Sequence, residues 1–232
     1  MTDLDHAAVL DALETGYRNV TDVVTGLSEA DLMRPSGCAG WAVTDVLYHQ
    51  LLDAQRALVA FATPVTEPAD RDDVSYWSAF APKGGEAGNQ AQAGAAAHAR
   101  FVRVAASAYL PGSLARAWSE TAAAVCRAAR ACPAAAVATQ GYVLCPADFA
   151  ATLAVETAVH YLDLTVSLAS APPPDPASLA LVRRVLDGLL GSPLPASWDD
   201  TSAAVKGTGR APLTDEDRAL LGPLAERVPL FT

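Results

Sequence analysis

The sequence predicts an all-α protein, and three observations carry that expectation. Apolar residues recur at helical spacing in one stretch after another. Alternating strand patterns are nearly absent. Alanine-rich runs are punctuated by stiff breaks, at Pro111-Gly112 and again at the PPPDP run that follows Ala171. The 232 residues are 51% hydrophobic and 18% charged, which suits one large domain, or a domain with an appendage, around a substantial core.

Taken in order, the first element runs from Asp5 to Leu27. Val9, Leu10, Leu13, Tyr17, Val20 and Val24 fall on one face of an amphipathic helix. Ser28-Glu29-Ala30-Asp31 reads as a capping turn that starts a short helical piece. RPSGCAG, residues 34–40, is a loop by its Pro and two Gly. A second long helix starts near Trp41, with Thr44 as its N-cap and Asp45 in its first turn, and runs to about Phe61. Asp45, His49, Asp53 and Arg56 share one of its faces.

Residues 63–88 hold three Pro and three Gly among charges and read as a long loop. Its aromatics Tyr76, Trp77 and Phe80 suit either a lid over a pocket or a surface excursion pinned to the body. Asn89–Leu110 and Ser113–Ala131 are two further helices, and His98 in the first reads as a surface or boundary histidine. Residues 133–145 connect onward, with ATQGYVLC extended. After PPPDP come a short helix over Leu179–Leu190 and a last one capped by Thr214 and Asp217. Lys206-Gly-Thr-Gly-Arg210 has glycines and cations but no preceding strand and no phosphate-loop spacing.

The stretch that matters most is Ala147–Ser170, read as one long helix of Ala, Val and Leu. It carries Glu156, His160 and Asp163 on a single polar seam, extended backwards by Thr152 and forwards by Ser167. Buried carboxylates cost several kcal/mol unless they are paired or bind a metal, so the seam marks a site. Glu156 and His160 lie about 6 Å apart along the axis and can reach one ion. His49, on the other polar-faced helix, is the third candidate by type and setting. Two His and one carboxylate with open positions suit catalytic Zn²⁺, Fe²⁺ or a similar ion. Asp45 and Asp163 are candidates to orient the histidines. Arg56 is a candidate to hold an anionic group.

Several classes are disfavoured. A net charge of −10 argues against nucleic acid and against an anionic membrane. The N-terminal MTDLDHAAV lacks a signal pattern, and the ionisable groups of 147–170 argue against a membrane span. The expected location is the cytoplasm. Cys38, Cys126, Cys132 and Cys145 form no CxxC pair and read as reduced, with Cys38, beside the His49 helix, the one to watch.

PSGCAGWAVTDVLYHQLLD resembles a family pattern of GW-x-V-x-D-V/L-x-x-H at a helix start, and AVETAVHYLDL resembles its partner, Glu-x-x-x-His-x-x-Asp-Leu. Together they resemble the DinB/YfiT-like superfamily and, more closely, the N-terminal domain of mycothiol-dependent maleylpyruvate isomerases, over roughly residues 5–170. The resemblance implies a DinB-like four-helix bundle holding a divalent metal, usually zinc, on His49, Glu156 and His160. It divides the chain into a metal-binding bundle, 1–171, and a short helical extension packed on it, 172–232. The isomerase's second domain has no room in that extension, so maleylpyruvate itself is not the expected substrate. Mycothiol as co-substrate follows from the resemblance alone.

The chemistry that follows is nucleophilic. A thiol titrates near pH 8.5 and loses its proton on metal coordination. Such a thiolate can add to a small electrophile, for cis–trans isomerisation or for thiol transfer. Two other readings stand beside it. One is metal-dependent hydrolysis with Asp45, Asp53 or Asp163 as base; the other is a metal-binding bundle without catalysis. The expected partners are a small thiol and a small electrophile, in a monomer or homodimer.

Overall fold

The computed structural model describes residues 5–110 and 112–232. Pro111 of the predicted break, and the first four residues of the stretch read for a signal, lie outside the described residues. The first helix, α1, spans His6–Thr25 and is capped by Asp5, whose side chain accepts from the Ala7 amide. Its predicted stripe is its buried face. The four-residue α2, Glu29–Leu32, carries the expected capping box between Ser28 and Asp31.

Helix α3 spans Val43–Ala62. Its N-cap position is Ala42, not Thr44. Alanine has nothing to offer there, and Asp45 reaches back to accept the Ala42 amide at 2.8 Å. The α4 helix begins at Gly85, earlier than the sequence suggested, and ends at Ala106; α5 follows over Ser113–Ala131. Helix α6 spans Pro146–Thr165, with Pro146 in its first turn and the Cys145 sulfur accepting the Asp148 amide. It stops short of the predicted Ser170. The chain turns there towards Pro172, whose carbonyl accepts from the Tyr161 hydroxyl at 2.8 Å, so Ser167 lies beyond the helix.

Helices α1, α3, α5 and α6 form the four-helix bundle: α1 and α3 each pack against both α5 and α6. Trp118, Leu13, Leu47, Leu51 and Leu164 are among its fully buried side chains. Helix α4 lies outside, against α3, and buries only Val102 and Ala106.

The predicted long loop contains a short strand, β1 (Pro64–Val65), and a 3-10 turn over Ser75–Phe80. Strand β1 pairs antiparallel with β2 (Ala136–Thr139), which pairs with β3 (Tyr142–Leu144). The extended reading of 138–145 is thus a hairpin. Gln140 and Gly141 turn it with φ of 49° and 84°, the left-handed pair that a two-residue hairpin needs.

The C-terminal residues form α7 (Pro176–Leu190), α8 (Asp200–Gly207), α9 (Asp215–Leu221) and a closing 3-10 turn, Gly222–Arg227. Helix α7 packs on α6 and α1, and α8 packs on α7. The capping box of Thr214 and Asp217 opens α9 as expected. Buried Asp217 also accepts from Trp198 and from Lys206, both at 2.7 Å. Among the described residues no helix is long and apolar enough to cross a membrane.

Candidate metal centre

Helix α3 presents His49 to the face of α6 that carries Glu156 and His160. The Nε2 atoms of His49 and His160 lie 3.0 and 3.3 Å from one oxygen, Glu156 Oε1. The imidazole rings meet edge to face at 4.7 Å. Ligand atoms about 2.0–2.2 Å from a common ion sit roughly 3 Å from one another, so the three side chains have the spacing of a ligand set.

The proton arrangement also fits a cation. His160 Nδ1 is 2.9 Å from Asp163 Oδ2, and an ionised carboxylate only accepts, so Nδ1 carries the hydrogen. His160 Nε2 then turns a lone pair towards Glu156 Oε1. Two lone pairs at that distance repel unless a proton or a metal ion lies between them. Without a metal, the proton is the answer. Burial disfavours the His160 imidazolium, but Glu156, Asp163 and Cys38 outweigh it and hold this histidine well above its usual range. Burial likewise opposes the Glu156 charge, yet His160 and His49 hold it well below the carboxylate range. For His49 burial wins: its pKa is lowered, although Glu156 works the other way.

Asp163 is buried and crowded. It accepts from Arg210 through Nε at 2.9 Å and Nη2 at 2.7 Å, and from the Cys38 thiol at 3.2 Å. Burial raises its pKa, but His160 and Arg210 prevail and keep it ionised far below the usual range. Asp163 therefore both contacts His160 and pairs with an arginine. Cys38, His160 and Asp163 also lie close enough together to suggest a second ion site. The guanidinium already held by both Asp163 oxygens supplies the positive charge there, which disfavours a cation beside it. His49, Glu156 and His160 are the better set.

These groups open into a cavity of about 520 Å³. Trp41, Tyr76, Trp77 and Phe80 line it, so the aromatics of the 63–88 segment form a pocket wall. Asp53 and Arg56 line it as well. Asp53 is half-buried, and burial together with the Glu156 charge raises its pKa to about 7, against the opposing pull of Arg56. Asp45 is not among the lining residues; its carboxylate is occupied at the start of α3.

Three contributors were not singled out for the site from the sequence. His98, read as a surface or boundary histidine, places Nε2 3.2 Å from His49 Nδ1. Its face was legible: positions 95, 98, 99, 102 and 106 repeat at helical spacing, and Val102 and Ala106 are buried. Arg210 and Phe231 reach the cavity from the C-terminal residues, where no local pattern marks them. The Lys206–Arg210 cations are consumed internally, by Asp217 and Asp163, which leaves no anion loop.

Neither the curated proteins nor the solved structures gave a match to the chain. A family model did, over residues 13–165, which span the four bundle helices from within α1 to the end of α6. With that match and the bundle it covers, the chain belongs to a DinB-like family, the mycothiol maleylpyruvate isomerase N-terminal domain family.

Proposed function

We propose that the protein is a divalent-metal enzyme, with zinc on His49, Glu156 and His160, that uses a small thiol of the mycothiol type to attack a small electrophile. The observation that carries this reading is the convergence of two imidazole nitrogens and one carboxylate oxygen at a cavity. When bound, the ion supplies Lewis acidity that keeps a thiol deprotonated near neutral pH. The chain's own groups supply the rest. Asp163, fixed by Arg210, holds the His160 hydrogen on Nδ1 and leaves Nε2 free to ligate. Arg56, exposed at the cavity, offers a guanidinium to an anionic group of the electrophile. Asp53, poised about pH 7, is placed to accept or return a proton at the cavity wall. Tyr76, Trp77 and Phe231 keep the chamber apolar on that side. In this reading residues 1–171 are the bundle that carries the ligands, and 172–232 are an extension that closes the chamber.

Release of the thiol after bond rotation gives cis–trans isomerisation; retention gives thiol transfer. The test is metal content and turnover together. Wild-type protein is expected to bind about one zinc per chain and His160→Ala none. The zinc-loaded wild type is expected to turn over electrophiles such as maleyl-type acids or activated alkyl groups only when mycothiol is present, with the thiol consumed in transfer and regenerated in isomerisation. Absence of metal in the wild type after reconstitution would overturn the reading. Metal with no thiol-dependent turnover would instead favour hydrolysis or a non-catalytic bundle.

A further inference from the structure

His98 stands on α4, outside the four-helix bundle, yet it touches the metal-centre reading directly. Its ring meets His49 edge to face at 5.4 Å, with Nε2 3.2 Å from His49 Nδ1. Trp41 covers both rings, at 5.5 Å from His49 and 6.4 Å from His98. Both nitrogens of His49 are therefore engaged, because Nε2 faces Glu156 Oε1 at 3.0 Å.

A neutral imidazole has one donor nitrogen and one acceptor nitrogen. Only two proton arrangements of the neutral pair put a single hydrogen between the rings, and without an ion only the first also keeps the Glu156 contact favourable. In the first, His49 Nε2–H donates to Glu156, and His49 Nδ1 accepts from His98 Nε2–H. In the second, His49 Nδ1–H donates to His98 Nε2, and His98 carries its hydrogen on Nδ1. The second arrangement alone leaves a lone pair on His49 Nε2. The two are isomers: the proton that leaves His49 Nε2 is matched by one that arrives at His98 Nδ1, and the proton between the rings changes owner.

We infer that His98 is a positioning residue that holds His49 in its metal-ligating tautomer, and that ion uptake flips the two rings from the first arrangement to the second. The inference rests on the proposal that His49, Glu156 and His160 bind the metal. It assigns α4 a purpose that its sparse packing does not explain, namely to bring an acceptor to the far side of a ligand.

The experiment is a zinc titration against a chromophoric chelator, run on wild type, His98→Ala, His98→Gln and His160→Ala, each checked for fold by circular dichroism. His98→Ala is expected to weaken zinc binding by about 10–100-fold. His98→Gln, whose amide oxygen can accept from His49 Nδ1–H, is expected to recover most of that loss. Nitrogen-15 imidazole spectra of the loaded protein should show His49 protonated on Nδ1 in the wild type and in His98→Gln. Wild-type affinity in His98→Ala, with none in His160→Ala, would overturn the inference and leave the ligand set standing. Equal losses in His98→Ala and His98→Gln, with the His49 tautomer unchanged, would overturn it too. Wild-type affinity in His160→Ala would sink the ligand reading beneath it.

Discussion

Gly37 sets how close the 34–40 loop comes to α6. Its amide donates to the Asp163 carbonyl at 2.8 Å. A Cβ added there would lie 2.4 Å from Asp163 Oδ1 and 2.9 Å from Asp163 Cα, and the backbone atom has no room to yield. Gly37→Ala is expected to cost about 1–3 kcal/mol in urea denaturation. It should also weaken zinc binding, because the side chain that would move is the one that orients His160. Asp53 offers a test by pH. Its carboxyl titrates about pH 7 in the folded chain, against about 3.9 when unfolded. Between those values the folded state keeps a proton that the unfolded state has lost, so stability falls as pH rises across the window. The penalty is complete above pH 7 and absent below about pH 4. Metal-free Asp53→Asn should therefore be more stable than the wild type at pH 8, with the gap closing in acid, as read by urea midpoints.

Among the elements, the strongly periodic helices were legible and the short pieces were not. The stripe on α1 and the seam on α6 come from side chains whose burial follows helical spacing alone. The strands of the small sheet are two to four residues long, too short to display alternation, and they exist because partners far apart in sequence pair with them. Thr44 misled because a residue three positions into the helix can cap as well as one before it. Helix α4 differs from the bundle helices in that it buries little of itself. Its amides are expected to exchange with solvent faster than those of α3 and α6, most of all in the Gly- and Ala-rich first half. Hydrogen-exchange mass spectrometry checks this, and zinc should slow exchange around His98 if the second proton arrangement is adopted.

At the scale of the whole molecule, the convergence of His49, Glu156 and His160 was legible because Glu156 and His160 share one helix face and His49 lies beside a motif of its own. Arg210 was not, because its contact with Asp163 depends on the path of the chain through α7 and α8. That contact joins the C-terminal residues to the heart of the bundle. Arg210→Met leaves the buried Asp163 charge without its bidentate partner and is expected to cost about 3 kcal/mol, measured by thermal or urea unfolding. One side chain, Asp163, thus receives the loop through Cys38, the bundle through His160 and the C-terminal residues through Arg210. Thermodynamic reciprocity then applies to that junction. If an ion on His160 tightens the grip of Asp163 on Arg210, anything that loosens the C-terminal residues must weaken the ion by the same free energy. Were the proposed centre loaded, metal affinity and the docking of the C-terminal residues would be two readings of one linked equilibrium, with those residues acting as an effector carried by the chain itself.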